Sequence, residues 1–104
     1  KKGLLDEAGY AAMIASTTLP NVVGSELAPL ASVHALTDVT GFGLAGHLIE
    51  MCEGANLSAN LDMEAIPLLP AIDDYLQAGC VPGGTGRNFE AYGHKIAPLT
   101  QRQQ

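Results

Sequence analysis

Positive charge is what this sequence has least of. Five Lys and Arg stand against eleven Asp and Glu, for a formal net charge of −6. A protein that binds nucleic acid unaided needs clustered cations to displace counterions from phosphates, so this balance argues against a nucleic-acid partner. Long apolar runs are also missing. None approaches the roughly 20 residues needed to span a bilayer, and no secretory signal pattern is present, so no membrane partner is expected. Cysteine is scarce: Cys52 and Cys80 are too sparse for a disulfide framework. Cys52 falls on an apolar helical stripe and reads as a buried free thiol, and a reducing, cytoplasmic location fits the chain best. Tryptophan is absent and aromatics are 5%, but an apolar share of 47% is ordinary for a globular protein.

The 104 residues suffice for one small domain and not two. The chain opens on Lys1-Lys2-Gly3 and closes on the polar run Gln101-Arg102-Gln103-Gln104. Both ends read as those of a single partial domain, residues 1–104, cut from a larger protein.

Along the chain, Leu5, Ala8, Ala12 and Ala15 share one side of an Ala-rich helix reaching about Thr18. Pro20 breaks it, and Asn21 can cap a second short helix to about Leu30. Val33 to Thr37 reads as a strand. Leu44, Leu48, Met51, Cys52 and Ala55 recur at helical spacing, which predicts a central helix from about Leu44 to Glu53. Gly54 then stands as its left-handed stop. Leu57 to Met63 alternates apolar and polar, the pattern of a half-buried strand. Strand, helix and strand together predict a βαβ-like unit, with an antiparallel return left open. Pro70 suits a helix start, so Ala71 to Ala78 should be helical and closed by Gly79. Pro82 to Asn88 reads as a loop, with a short helix near Phe89 to Gly93. The expected fold class is therefore α/β (α+β), with helices on a small, incomplete sheet whose unpaired edge leaves self-association open.

The chemistry concentrates in Thr37-Asp38-Val39-Thr40-Gly41-Phe42-Gly43. In α/β proteins such strand-to-helix loops gather ligands, and the next helix offers free N–H groups to an anion. A carboxylate there repels a bare phosphate but can hold a metal that the phosphate shares. Asp38 thus reads as a metal ligand, or more plainly as a loop or helix cap. Thr37 and Thr40 can meet phosphate or water, or make local turn bonds. Gly41 and Gly43 allow close backbone approach, or only a tight turn. No Lys-Ser/Thr pair follows, so this is not a Walker A loop. Gly41, Gly43 and Gly46 do match GxGxxG spacing, which keeps a dinucleotide site with Asp62 as the alternative. In Gly83-Gly84-Thr85-Gly86-Arg87-Asn88, glycine N–H groups and Arg87 can face an anion, and Asn88 can bond a nucleotide or cap a helix. A flexible connector is the plain reading. His34, His47 and His94 lack metal-like spacing, and His47 reads as a packing or hydrogen-bonding residue.

His34 to Leu48, centred on Thr37-Asp38-Val39-Thr40-Gly41-Phe42-Gly43, closely resembles the signature of selenophosphate synthetases (selenide, water dikinases). Gly83 to Asn88 resembles that family's second carboxy-terminal motif. The resemblance spans about Leu5 to Pro98, and the wider superfamily includes aminoimidazole ribonucleotide synthetase. It implies part of the carboxy-terminal domain of a two-domain, Mg²⁺-dependent enzyme that is homodimeric. That enzyme converts selenide, ATP and water to selenophosphate, AMP and phosphate. By resemblance Asp38 joins the magnesium site. Thr37, Thr40, Gly41, Gly43, Gly84, Thr85 and Asn88 would border the ATP cleft.

Nothing here matches the family's amino-terminal segment, which carries the catalytic Cys or selenocysteine and the Lys. The resemblance therefore implies an inactive piece whose partner is the missing amino-terminal domain. A related synthetase with another substrate, or a small non-catalytic binding module, is the alternative.

Overall fold

The computed structural model describes residues 3–99. Lys1, Lys2 and the polar run Gln101-Arg102-Gln103-Gln104 lie outside the described residues. Five α-helices follow one another: α1 (Glu7–Thr17), α2 (Val23–Leu27), α3 (Gly43–Ala55), α4 (Ile72–Gln77) and α5 (Thr85–Tyr92). Two 3-10 turns, Met63–Ala65 and Gly93–Lys95, complete the elements.

The helix ends follow local chemistry. Asp6 caps α1: its Oδ1 accepts the Gly9 N–H at 2.7 Å. At the other end the Thr17 and Thr18 hydroxyls donate to the carbonyls of Met13 and Ile14, and the Thr18 N–H also closes on the Ile14 carbonyl. α4 ends as its sequence predicts. Gly79 has φ +71°, its N–H bonds the Leu76 carbonyl, and the Cys80 N–H bonds the Tyr75 carbonyl. This double closure is a Schellman motif.

α3 ends the same way but not where glycine predicts. Gly54 lies inside the helix, and Asn56 adopts the left-handed conformation at φ 54°. The Leu57 N–H then closes on the Cys52 carbonyl at 2.9 Å. Asparagine tolerates that region better than most residues because its short side chain bonds locally. α2 is shorter than expected and begins without a side-chain cap. Asn21 serves it through its backbone carbonyl, which accepts the Gly24 N–H at 3.1 Å.

The sheet is absent. Among the described residues no strand forms, so the α/β (α+β) expectation of helices on an incomplete sheet is corrected to an all-helical arrangement. Val33 to Thr37 and Leu57 to Asp62 have the composition of strands but no regular structure, and Met63 opens a 3-10 turn. A strand is stable only when a neighbour takes its backbone groups. These two segments do not pair with each other, and the βαβ-like unit falls with them. The unpaired edge that would favour self-association is likewise absent among the described residues.

The helices enclose little. Among the described residues no hydrophobic side chain is buried; only Gly46 and His47, in adjacent positions of α3, are. Leu19, Leu57 and Leu68 are each about two-thirds exposed or more, at 74%, 69% and 67%. Cys52 and Cys80 are half-buried and unpaired with each other. The radius of gyration, 15.9 Å, exceeds the roughly 13 Å of a compact domain of this length. α5 packs on α3, and several side chains from distant segments converge at that corner.

Candidate functional site

The corner is built on the loop preceding α3. A turn closes it, with the Gly43 N–H donating to the Thr40 carbonyl at 3.0 Å. Gly43 has φ +74°, a conformation that strains any residue with a Cβ. This turn aims Phe42 across the start of α3. The Phe42 ring lies 5.5 Å from that of His47 and 5.8 Å, edge to face, from that of Tyr92 on α5. Aromatic pairs favour such tilted contacts. Gly46 lets the ring sit close: a Cβ there would stand 2.8 Å from the Phe42 Cβ and 3.6 Å from the Tyr92 ring.

One hydrogen bond joins the two glycine-containing motifs. The Asn88 Nδ2 donates to the Gly41 carbonyl at 2.8 Å across 47 positions of sequence. Asn88 lies in the first turns of α5, so Thr85 to Asn88 is helix rather than the expected loop. Gly84 precedes that helix with an ordinary right-handed φ of −82°. Between α3 and α5 runs a cleft of about 240 Å³, whose walls include Phe42, Leu44, Phe89, Tyr92 and Ile96. Gly43, Thr85 and Asn88 form its polar margin.

Gly41, Gly43, Thr85 and Asn88 are thus brought together, with Gly84 at the start of α5. Thr37 and Asp38 stand apart from the cleft walls. The Thr37 hydroxyl is turned to the Asp38 carbonyl at 3.2 Å, a local turn bond. Asp38 is exposed and takes no part in the bonds that tie the loop to α3 and α5. Its carboxylate offers a hard oxygen suited to Mg²⁺, but one such donor cannot fill an octahedral shell. Among the described residues no three His, Cys, Asp or Glu converge in a way that could hold a metal. The described residues therefore do not make a magnesium site by themselves.

Behind the loop stands His47. Thr40 Oγ1 and His47 Nε2 are 3.2 Å apart. The other ring nitrogen, Nδ1, is buried and 3.2 Å from Glu50 Oε2. That approach is close in distance but lacks hydrogen-bond direction. His47 therefore packs and bonds, as its place on the helix predicts. The aromatic walls are the part of the site that the sequence pattern does not announce. Phe89 and Tyr92 at i, i+3 spacing are the available signal, masked by the glycines just before them.

Among the described residues, no helix is long and apolar enough to cross a membrane. The family described as AIR synthase related protein, C-terminal domain, matches residues 11–86. The chain is 53% identical over all its 104 residues to a protein named selenide, water dikinase from Shewanella sp. (strain W3-18-1). The protein of that name from Shewanella putrefaciens (strain CN-32 / ATCC BAA-453) is likewise 53% identical, and that from Shewanella baltica (strain OS155 / ATCC BAA-1091) is 52% identical. The chain spans 29% of the length of each of these relatives. With the match covering most of its residues, and both glycine-containing motifs meeting at one corner, the chain belongs to the AIR synthase related C-terminal domain family.

Proposed function

We propose that this chain is part of a selenide, water dikinase and contributes one wall of its Mg²⁺–ATP cleft. The reaction would convert selenide, ATP and water to selenophosphate, AMP and phosphate. The observation that carries this reading is the Asn88 to Gly41 hydrogen bond, which joins the two motifs that resemble the synthetases. Identity of 53% to proteins of that name, over the whole chain, supports the substrate class.

In this reading Asp38 supplies one carboxylate oxygen to magnesium, which when bound neutralises phosphate charge and orients the nucleotide. The remaining oxygens come from water, phosphate and the rest of the protein. Gly41 and Gly43 let the loop backbone approach the nucleotide, while Thr37, Thr40, Gly84, Thr85 and Asn88 border it. The catalytic Cys or selenocysteine and the Lys lie in an amino-terminal domain outside these residues, so the chain alone is inactive. The assembled enzyme is a homodimer working in the cytoplasm, where free thiols such as Cys52 and Cys80 persist.

The test is selenide-dependent release of AMP from ATP by the full-length protein, compared with Asp38→Asn. The substitution should lower the rate on the order of a hundredfold, the scale of removing one preorganised charge-stabilising group. An unchanged rate would sink the metal role while keeping the reaction. A full-length protein that ignores selenide but turns over ATP with another acceptor would favour a related synthetase.

A further inference from the structure

The chain Thr40–His47–Glu50 is more than packing. His47 is 8% exposed, and its two ring nitrogens meet different groups. Nδ1 is sealed from solvent beside a carboxylate, 3.2 Å from Glu50 Oε2. Nε2 is 3.2 Å from the Thr40 hydroxyl oxygen. A neutral imidazole carries one proton, and its environment selects the nitrogen that holds it. Even off the hydrogen-bond axis, a carboxylate oxygen 3.2 Å away favours an N–H dipole over a bare lone pair, so the proton is assigned to Nδ1. Nε2 is then an acceptor, and the Thr40 hydroxyl must donate to it.

From this geometry we infer that His47 is a positioning residue that turns the Thr40 hydroxyl inward, leaving only oxygen lone pairs facing outward. The inference deepens the proposed cleft and rests on that reading for its functional meaning. A hydroxyl has one proton. With that proton given to Nε2, Thr40 cannot donate to a phosphate oxygen. Its outward partner is a hydrogen-bond donor, with an ordered water as the simplest case. Of the two ligands the sequence leaves open for Thr40, phosphate and water, the relay selects water. Glu50 acts at one remove: its side chain is 55% exposed, yet it fixes the tautomer that fixes the hydroxyl.

The experiment is ¹⁵N NMR of the His47 ring in the full-length protein at about pH 9, above the ordinary histidine range. The wild type should show a protonated Nδ1 and an unprotonated Nε2. Thr40→Val should shift the Nε2 resonance toward that of a free nitrogen, and Thr40→Ser should restore it. Glu50→Ala, at an exposed position that does not threaten folding, should raise the share of the Nε2–H form. It should also change the KM for ATP while leaving kcat nearly intact. A wild-type ring protonated on Nε2, or an Nε2 signal indifferent to Thr40→Val, would overturn the inference. The ring signals do not depend on the reaction catalysed. An intact tautomer in a protein without selenide-dependent activity would therefore reject the proposed function alone.

Discussion

Two regions of this chain are built differently. Around the start of α3, side chains from three segments interlock: Phe42 against Tyr92, Asn88 against Gly41, Thr40 against His47. Around α1 and α2 the helices are well formed, yet no residue of either is buried. Leu5, Tyr10, Leu19, Val22 and Val23 are each half-exposed or more. The first region is specified by several contacts within the chain; the second mainly by local propensity and caps, with the Tyr75 hydroxyl reaching Asp6. Burial stabilises most helices in water more than propensity does. The amino-terminal helices therefore lack the interlocking contacts of the motif corner, although Phe42 and Phe89 there are also about half exposed.

The largest effect that could break this contrast is loss of cooperativity. The isolated 104-residue chain should show helical far-ultraviolet dichroism, a broad thermal transition and binding of a hydrophobic dye. A single sharp transition, coincident in two spectroscopic probes, would mean that the amino-terminal region covers itself. Hydrogen exchange on the same chain should sharpen the contrast. Amides of α3 should be protected about tenfold or more over those of α1, and equal protection would erase the difference between the regions.

A matched pair of substitutions in the full-length protein comes next. Gly46→Ala forces a Cβ against the Phe42 Cβ, which is anchored to the backbone and cannot swing away. It should destabilise by about 1–2 kcal/mol in chemical denaturation, the scale of overpacking. Gly9→Ala meets the Tyr75 hydroxyl, the far end of a half-buried side chain, and comes to 3.0 Å from Asp6 Oδ1 and Leu5 Cδ1, all side-chain atoms that can shift. There the gain in helix propensity, about 1 kcal/mol, should offset the cost of displacing that hydroxyl. Equal costs at the two positions would show that the corner is no more tightly specified than α1.

Smaller still is Asn88→Ala. Removing the bond to Gly41 should cost about 1 kcal/mol and loosen the loop, seen as a raised KM for ATP. The smallest effect is Lys95→Met, which breaks the ion pair with Glu53. The two side chains are 35% and 58% exposed, so water still screens the pair, and stability should move by about 0.5 kcal/mol or less, and less again in high salt.

Much of this is legible in sequence, and where sequence misleads the causes are physical. α1 and α4 are readable because their signals are local: an Ala-rich stretch after Asp6, and Gly79 where the left-handed turn is required. The strands mislead because alternation reports only which side chains could face a core. Whether a ladder forms depends on a neighbour that no local pattern reveals. Gly54 and Asn56 can both turn left-handed, and the α3 stop falls on Asn56 because that position completes the Schellman closure. At the site, Gly41 and Asn88 each stand out in their own motif, but their meeting is a contact across 47 positions. The first turn of α5 is hidden by Gly83, Gly84 and Gly86, residues that weaken a helix without forbidding one.

The Tyr75 hydroxyl donates to Asp6 at 3.2 Å, joining positions 69 apart. Closing a flexible loop of that span costs roughly 4 kcal/mol in chain entropy by the logarithmic length law. One exposed hydrogen bond returns about 1 kcal/mol. By itself this clasp would therefore spend most of its time open. It records an approach of the two segments that something else must enforce, and its lifetime measures how firmly they are held.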